Sequence, residues 1–114
     1  FMTTNIYDIA NQLERAIRNL PEYKAVEAVK VSVEANAEAK STLDAYISFQ
    51  KGIQEKLQAG EIPTEADQKK MIDFNKKVQA NPLLTEYFTK QQQLGTYVAD
   101  LERIIFKPLN ELLQ

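Results

Sequence analysis

Residues 81–109 read NPLLTEYFTKQQQLGTYVADLERIIFKPL, and within them Leu84, Tyr87, Gln91, Leu94, Val98, Leu101 and Ile105 recur at alternating steps of three and four. That spacing returns a side chain to the same face every 3.5 residues, so it predicts one long α-helix carrying a heptad seam. Asn81-Pro82 supplies the start, an N-cap followed by a proline whose missing N–H costs nothing in a first turn. Lys107-Pro108 is expected to break or kink the helix, leaving a last turn with Leu109, Leu112 and Leu113.

The same pattern recurs upstream. Ala39, Leu43, Tyr46, Gln50, Ile53 and Leu57 form a second seam between Ala37 and about Ala59, with Asn36 as cap and Gly60 where a C′ glycine belongs. Each of these two rods should run about 35–39 Å. Between them, Thr64 with Asp67 resembles a capping box and opens a shorter helix offering Met71, Phe74 and Val78. Toward the N-terminus, Asn5 and Asp8 begin a helix with Ile6, Ile9, Leu13, Ala16, Ile17 and Leu20 on one face. Pro21 ends it and opens another, with Tyr23, Val26, Val29 and Val33. Nothing alternates with period two for long, so the expected fold is all-α: about five helices, two of them long.

Composition sets the frame around those helices. With 114 residues the chain has room for one domain, read here as residues 2–114 with Phe1 set aside, and 44% apolar against 26% charged residues is the balance of a folding globular chain. Cys, His and Trp are absent, which removes disulfides, thiolate zinc sites, cysteine nucleophiles and every His-dependent triad. A formal charge of −2 gives no bulk attraction to nucleic acid or anionic lipid. No apolar run approaches the roughly 18 residues of a membrane span and no cationic leader precedes one, so a cytoplasmic protein without membrane insertion is expected.

Candidate chemistry is thin. Glu34/Glu38 and Glu61/Glu65 stand at helical spacing, but a carboxylate-bridged metal site of the usual form needs histidines that are missing, and Ser32, Ser41 and Ser48 have no His base. The glycines are isolated rather than gathered into a phosphate loop. No catalytic residue, metal ligand or cofactor is therefore assigned, and the chain reads as a non-enzyme.

Contact surfaces carry more information. Ile104, Ile105 and Phe106 stand consecutively, with Tyr97 and Leu101 a turn or two earlier, and Ile47 and Phe49 flank the seam of the third helix. Helices apolar on several sides must be covered on several sides. A helical bundle packed as a homodimer is the expectation, with Leu43, Tyr46, Gln50, Ile53, Leu94, Val98, Leu101 and Ile105 at the shared surface. Gln50 and Gln91 occupy seam positions, where each either reaches solvent or hydrogen-bonds across the interface. Gly52 and Gly95, inside helices, are either tolerated or mark close approach of another backbone. Lys69, Lys70, Lys76 and Lys77 recur seven residues apart on the fourth helix, with Asp73 at pairing distance. They form an ordinary solvated face or a contact for an acidic partner, and the alternative function they suggest is RNA binding or assistance to RNA processing.

Three segments taken together resemble a known family: Asn5-Ile6-Tyr7-Asp8-Ile9-Ala10 with Leu13 and Leu20-Pro21-Glu22-Tyr23, then Phe49-Gln50 through Gln58-Ala59-Gly60-Glu61-Ile62, then Leu101-Glu102-Arg103-Ile104-Ile105-Phe106-Lys107-Pro108-Leu109. In order and spacing they are similar to the YheA-like branch of the YlbF/YmcA family of Firmicutes. The resemblance implies an all-helical, dimer-forming cytoplasmic protein without known catalytic activity. It also implies kinship with proteins of competence, sporulation and biofilm control that join an iron–sulfur complex acting on a membrane-tethered ribonuclease. With no Cys in this chain, cluster ligation is not carried over. The function expected is a non-catalytic protein-interaction or regulatory module with an unidentified protein partner.

Overall fold

The computed structural model describes residues 5–114; residues 1–4, including Phe1 and the start of the expected domain, lie outside it. Five helices follow one another: α1 (Ile6–Arg18), α2 (Pro21–Glu34), α3 (Ala37–Gln58), α4 (Glu65–Ala80) and α5 (Pro82–Leu112), and no strand occurs among the described residues.

Local chemistry places the boundaries. The Asn5 and Asn36 side-chain oxygens accept the Tyr7 and Ala39 N–H groups at 2.8 and 2.9 Å, which satisfies donors that a first helical turn leaves without partners. Thr64 and Asp67 form the full reciprocal box, with the Thr64 hydroxyl accepting the Asp67 N–H at 3.1 Å and the Asp67 carboxylate accepting the Thr64 N–H at 3.0 Å. Asn81 Oδ1 accepts from Leu83 and Leu84. At the end of α3, Gly60 adopts φ +81°, and the Glu61 and Gly60 N–H groups reach back to the carbonyls of Lys56 and Leu57. This is a Schellman closure, whose left-handed position costs a residue with a Cβ about 1 kcal/mol or more.

One boundary differs from expectation. α5 does not stop at Lys107-Pro108 but continues through Pro108 for 31 residues, about 46 Å. A proline removes a single donor, here the one that would reach the Ile104 carbonyl. Ile104 is 67% exposed, so water can take that acceptor.

The helices gather into two compact units, residues 5–28 with Thr89–Gln114 and residues Val29–Phe88, so that α2 and α5 each contribute to both. The second unit holds the core. Val29, Val33, Ala39, Leu43, Leu84 and Tyr87 are its buried residues, and an aromatic cluster packs beside them: Tyr46 edge-on to Phe74 and Phe88 at 5.8 and 5.5 Å, Phe49 tilted on Phe74 at 5.4 Å. Edge-to-face rings at these separations add about 0.5–1.5 kcal/mol beyond area burial. α3 and α4 are further joined by Lys56, whose ammonium donates to Asp67 at 2.8 Å.

The first unit is built differently. It comprises α1, the opening of α2 and the tail of α5, and none of its described residues is buried.

Candidate functional site

The residues expected at a shared surface divide between the units. Leu43 is 7% exposed and lies in the core of the second. Tyr46 is half-buried in the aromatic cluster, and Gln50 donates to its hydroxyl at 2.9 Å and to the Met71 sulfur at 3.7 Å. The Gln50 amide nitrogen thus finds acceptors one turn back on its own helix and across on α4. Ile53 lines a shallow groove of about 480 Å³ with Ile47 and Leu57 on the outer side of α3. No atom lies within 4 Å of a Cβ built on Gly52 or Gly95, so the chain itself brings no backbone close to either.

In the first unit Leu94 and Leu101 are half-buried, whereas Val98 and Ile105 are exposed. Around them Tyr97, Ile104, Phe106 and Leu109 are open to solvent, and so are Ile6, Tyr7 and Ile9 on α1. At 100° per residue the apolar side chains of the α5 tail sweep about half the circumference, from Ile104 through Leu101 and Ile105 to Phe106. α1 needs only one covered face. Its residues Ala10, Leu13 and Ile17 line a notch of about 300 Å³ with Tyr23, bordered by Glu14 and Arg18.

Electrostatics are modest. Arg18 pairs with Glu14 and Arg103 with Asp100 on open helical surface, where such pairs are worth little. The hydrogen bond and charge of Glu14 raise the Arg18 pKa above its usual value. Glu22 buries one carboxylate oxygen that meets no donor among the described residues. On α4 the expected pairing of Asp73 with Lys69 and Lys77 is not realised: Lys69, Lys70, Lys76 and Lys77 are all exposed, and the ion pairs among the described residues lie elsewhere.

Among the described residues, no group of His, Cys, Asp and Glu is arranged to hold a metal ion, and no helix is long and apolar enough to cross a membrane. The arrangement defines a small all-α protein with a helical core at one end of its sequence seam and an uncovered apolar helix at the other. Residues 6–110 match the family model described as control of competence regulator ComK, YlbF/YmcA, and the chain belongs to the YlbF/YmcA family. It is 88% identical over 112 residues to a UPF0342 protein of Streptococcus suis, covering 98% of this chain and all of that one. A UPF0342 protein of Streptococcus gordonii is 51% identical, with 97% and 99% of the two chains covered. Among solved structures, a DUF964 protein of unknown function from Bacillus stearothermophilus superposes with a TM-score of 0.82 at 23% identity, covering 96% of each chain. YheA from Bacillus subtilis gives 0.69 at 24% identity, covering 96% of this chain and 99% of its own. The expected all-helical fold and family resemblance are thus borne out.

Proposed function

We propose that the chain is a non-catalytic, cytoplasmic interaction module of regulatory role that works as a homodimer. One observation carries the reading: the unit formed by α1, the start of α2 and the α5 tail contains no buried residue among those described, yet carries much of the chain's large apolar surface. Ile104, Ile105, Phe106 and Leu109 on α5 and Ile6, Tyr7 and Ile9 on α1 are all about half or more exposed, and exposed apolar side chains gathered in this way mark an interaction site. A second copy offering the same surface is the simplest cover, since an isologous contact pairs each patch with itself. Val98, Leu101 and Ile105 belong to this surface with half-buried Leu94, whereas Leu43, in its own chain's core, and Tyr46, in the aromatic cluster, do not. The regulatory role is supported by the family's description in terms of competence control.

Sedimentation velocity at tens of micromolar tests the proposal. A species of twice 13.0 kDa is expected for the native chain. Ile105→Glu should yield the single chain with the helix content of the second unit retained, because Ile105 is 51% exposed and supports no core within the chain. A native chain that sediments as one copy overturns the homodimer.

A further inference from the structure

The lysines of α4 form a second surface in the unit Val29–Phe88. Lys69 and Lys76 stand seven residues apart, as do Lys70 and Lys77, so they make two parallel edges repeating every two turns, about 10.5 Å. Ala66, Asp73 and Ala80 lie in the strip between them, and Ile72, 55% exposed, lies at its margin. No carboxylate of the described residues sits within ion-pair distance of these four ammonium groups. The Lys77 ammonium lies 5.9 Å from the Phe74 ring centroid. Four cations against two carboxylates, Asp73 and, one turn before Lys69, Glu65, share this side of α4 in a chain whose net charge is −2.

The face leads into a cavity. It is an open pocket of about 580 Å³ between Lys77, Ala80 and Asn81 on one side and Asn36, Glu38 and Thr42 on the other. A threonine within a helix usually turns its hydroxyl to the carbonyl four residues back, as Thr85 and Thr96 do. Thr42 is half-buried and lines the pocket, and its hydroxyl makes no hydrogen bond among the described residues. Lys77 and Thr42 line it together with the Glu38 carboxylate, so an entering carboxylate gains an ammonium and a hydroxyl donor against one like charge.

We propose that this face docks an acidic protein segment, an amphipathic helix whose carboxylates pair with the two lysine edges and one of which enters the cavity beside Lys77 and Thr42. The face favours a peptide over nucleic acid. No exposed aromatic stands on the face to stack a base, and exposed Ile72, just outside the Lys69–Lys76 edge, offers an apolar contact to a partner helix. The proposal rests on reading the chain as an interaction module, but it uses no residue of the self-association surface.

Fluorescence anisotropy on the full chain tests it with two probes, a fluorescein-labelled amphipathic Glu/Leu peptide and a fluorescein-labelled oligouridylate. The peptide should bind at low salt and lose affinity by about tenfold or more between roughly 50 and 200 mM NaCl, as contacts between exposed charges do. The combined K69Q, K70Q, K76Q and K77Q chain should bind it at least about tenfold more weakly with unchanged helix content, because all four side chains are solvent-exposed. Thr42→Val should weaken it by roughly fivefold, the worth of one hydrogen bond. No peptide binding up to millimolar concentration, or binding indifferent to the four substitutions, overturns the proposal. Oligouridylate binding that responds to them in the absence of peptide binding overturns it too and assigns the face to nucleic acid. Sedimentation of the same samples reads self-association separately, so failure here is distinguishable from failure of the homodimer.

Discussion

Asp67 does more than any other carboxylate in the chain. One oxygen accepts the Lys56 ammonium at 2.8 Å and the Thr64 N–H at 3.0 Å, so a single side chain closes the N-terminus of α4 and ties it to α3. The Lys56 hydrogen bond first, and the Thr64 backbone bond after it, hold the Asp67 pKa below the ordinary aspartate value. A carboxyl whose folded pKa is depressed stabilises the fold fully above its unfolded value, near 3.9. That contribution is lost as pH falls through the lower folded value. Asp67→Asn should therefore lower stability at pH 7 and flatten the decline of stability below about pH 4, both read from urea unfolding across a pH series. A variant whose acid limb matches that of the native chain would remove Asp67 from the account. The Asp67 half of this arrangement was legible, because a capping box is a three-residue pattern. Lys56 was not, because its partnership spans a turn whose geometry depends on the positive φ of Gly60.

Among the helices, the same contrast between local and distant causes decides what could be read. Asn36, Thr64, Gly60 and Asn81-Pro82 mark boundaries through groups within a few residues of themselves, and each stands where its chemistry places it. Pro108 does not end α5, because the cost of a proline depends on whether the orphaned carbonyl meets water, which is a matter of exposure and not of spacing. The seam of α3 looked like the seam of α5, yet Leu43 is buried within the chain and Tyr46 packs edge-on to Phe74 and Phe88, contacts between residues far apart in sequence. Periodicity shows that a face is apolar and is silent on what covers it. Gly52 allows a direct measurement at this scale: it lies inside α3 with open space where a Cβ would stand. Gly52→Ala should raise stability by about 0.5–1 kcal/mol through helix propensity alone, seen as a higher urea midpoint with unchanged slope. A loss of stability would mean that another backbone approaches there in solution.

The two units differ in what holds them, and that difference has a consequence for the molecule as a function of concentration. The unit Val29–Phe88 has buried aliphatic residues, an aromatic cluster and an interhelical ion pair within one chain. The other unit has no buried residue to set against the conformational entropy of its helices, and an isolated helix even of α1's length is marginal in water. If a second copy completes its core, the free energy of association is folding free energy for that unit, and mass action makes its stability depend on protein concentration. Hydrogen exchange read by mass spectrometry at about 100 µM and about 1 µM should then separate the two. Amides of α1 and of α5 beyond Leu94 should be protected at the higher concentration and exchange much faster at the lower, while those of α3 and α4 keep their protection at both. The Ile105→Glu chain should behave at high concentration as the native chain does when dilute. Equal protection of α1 and the α5 tail at both concentrations would mean that their apolar faces are satisfied within one chain, and the need for a second copy would disappear.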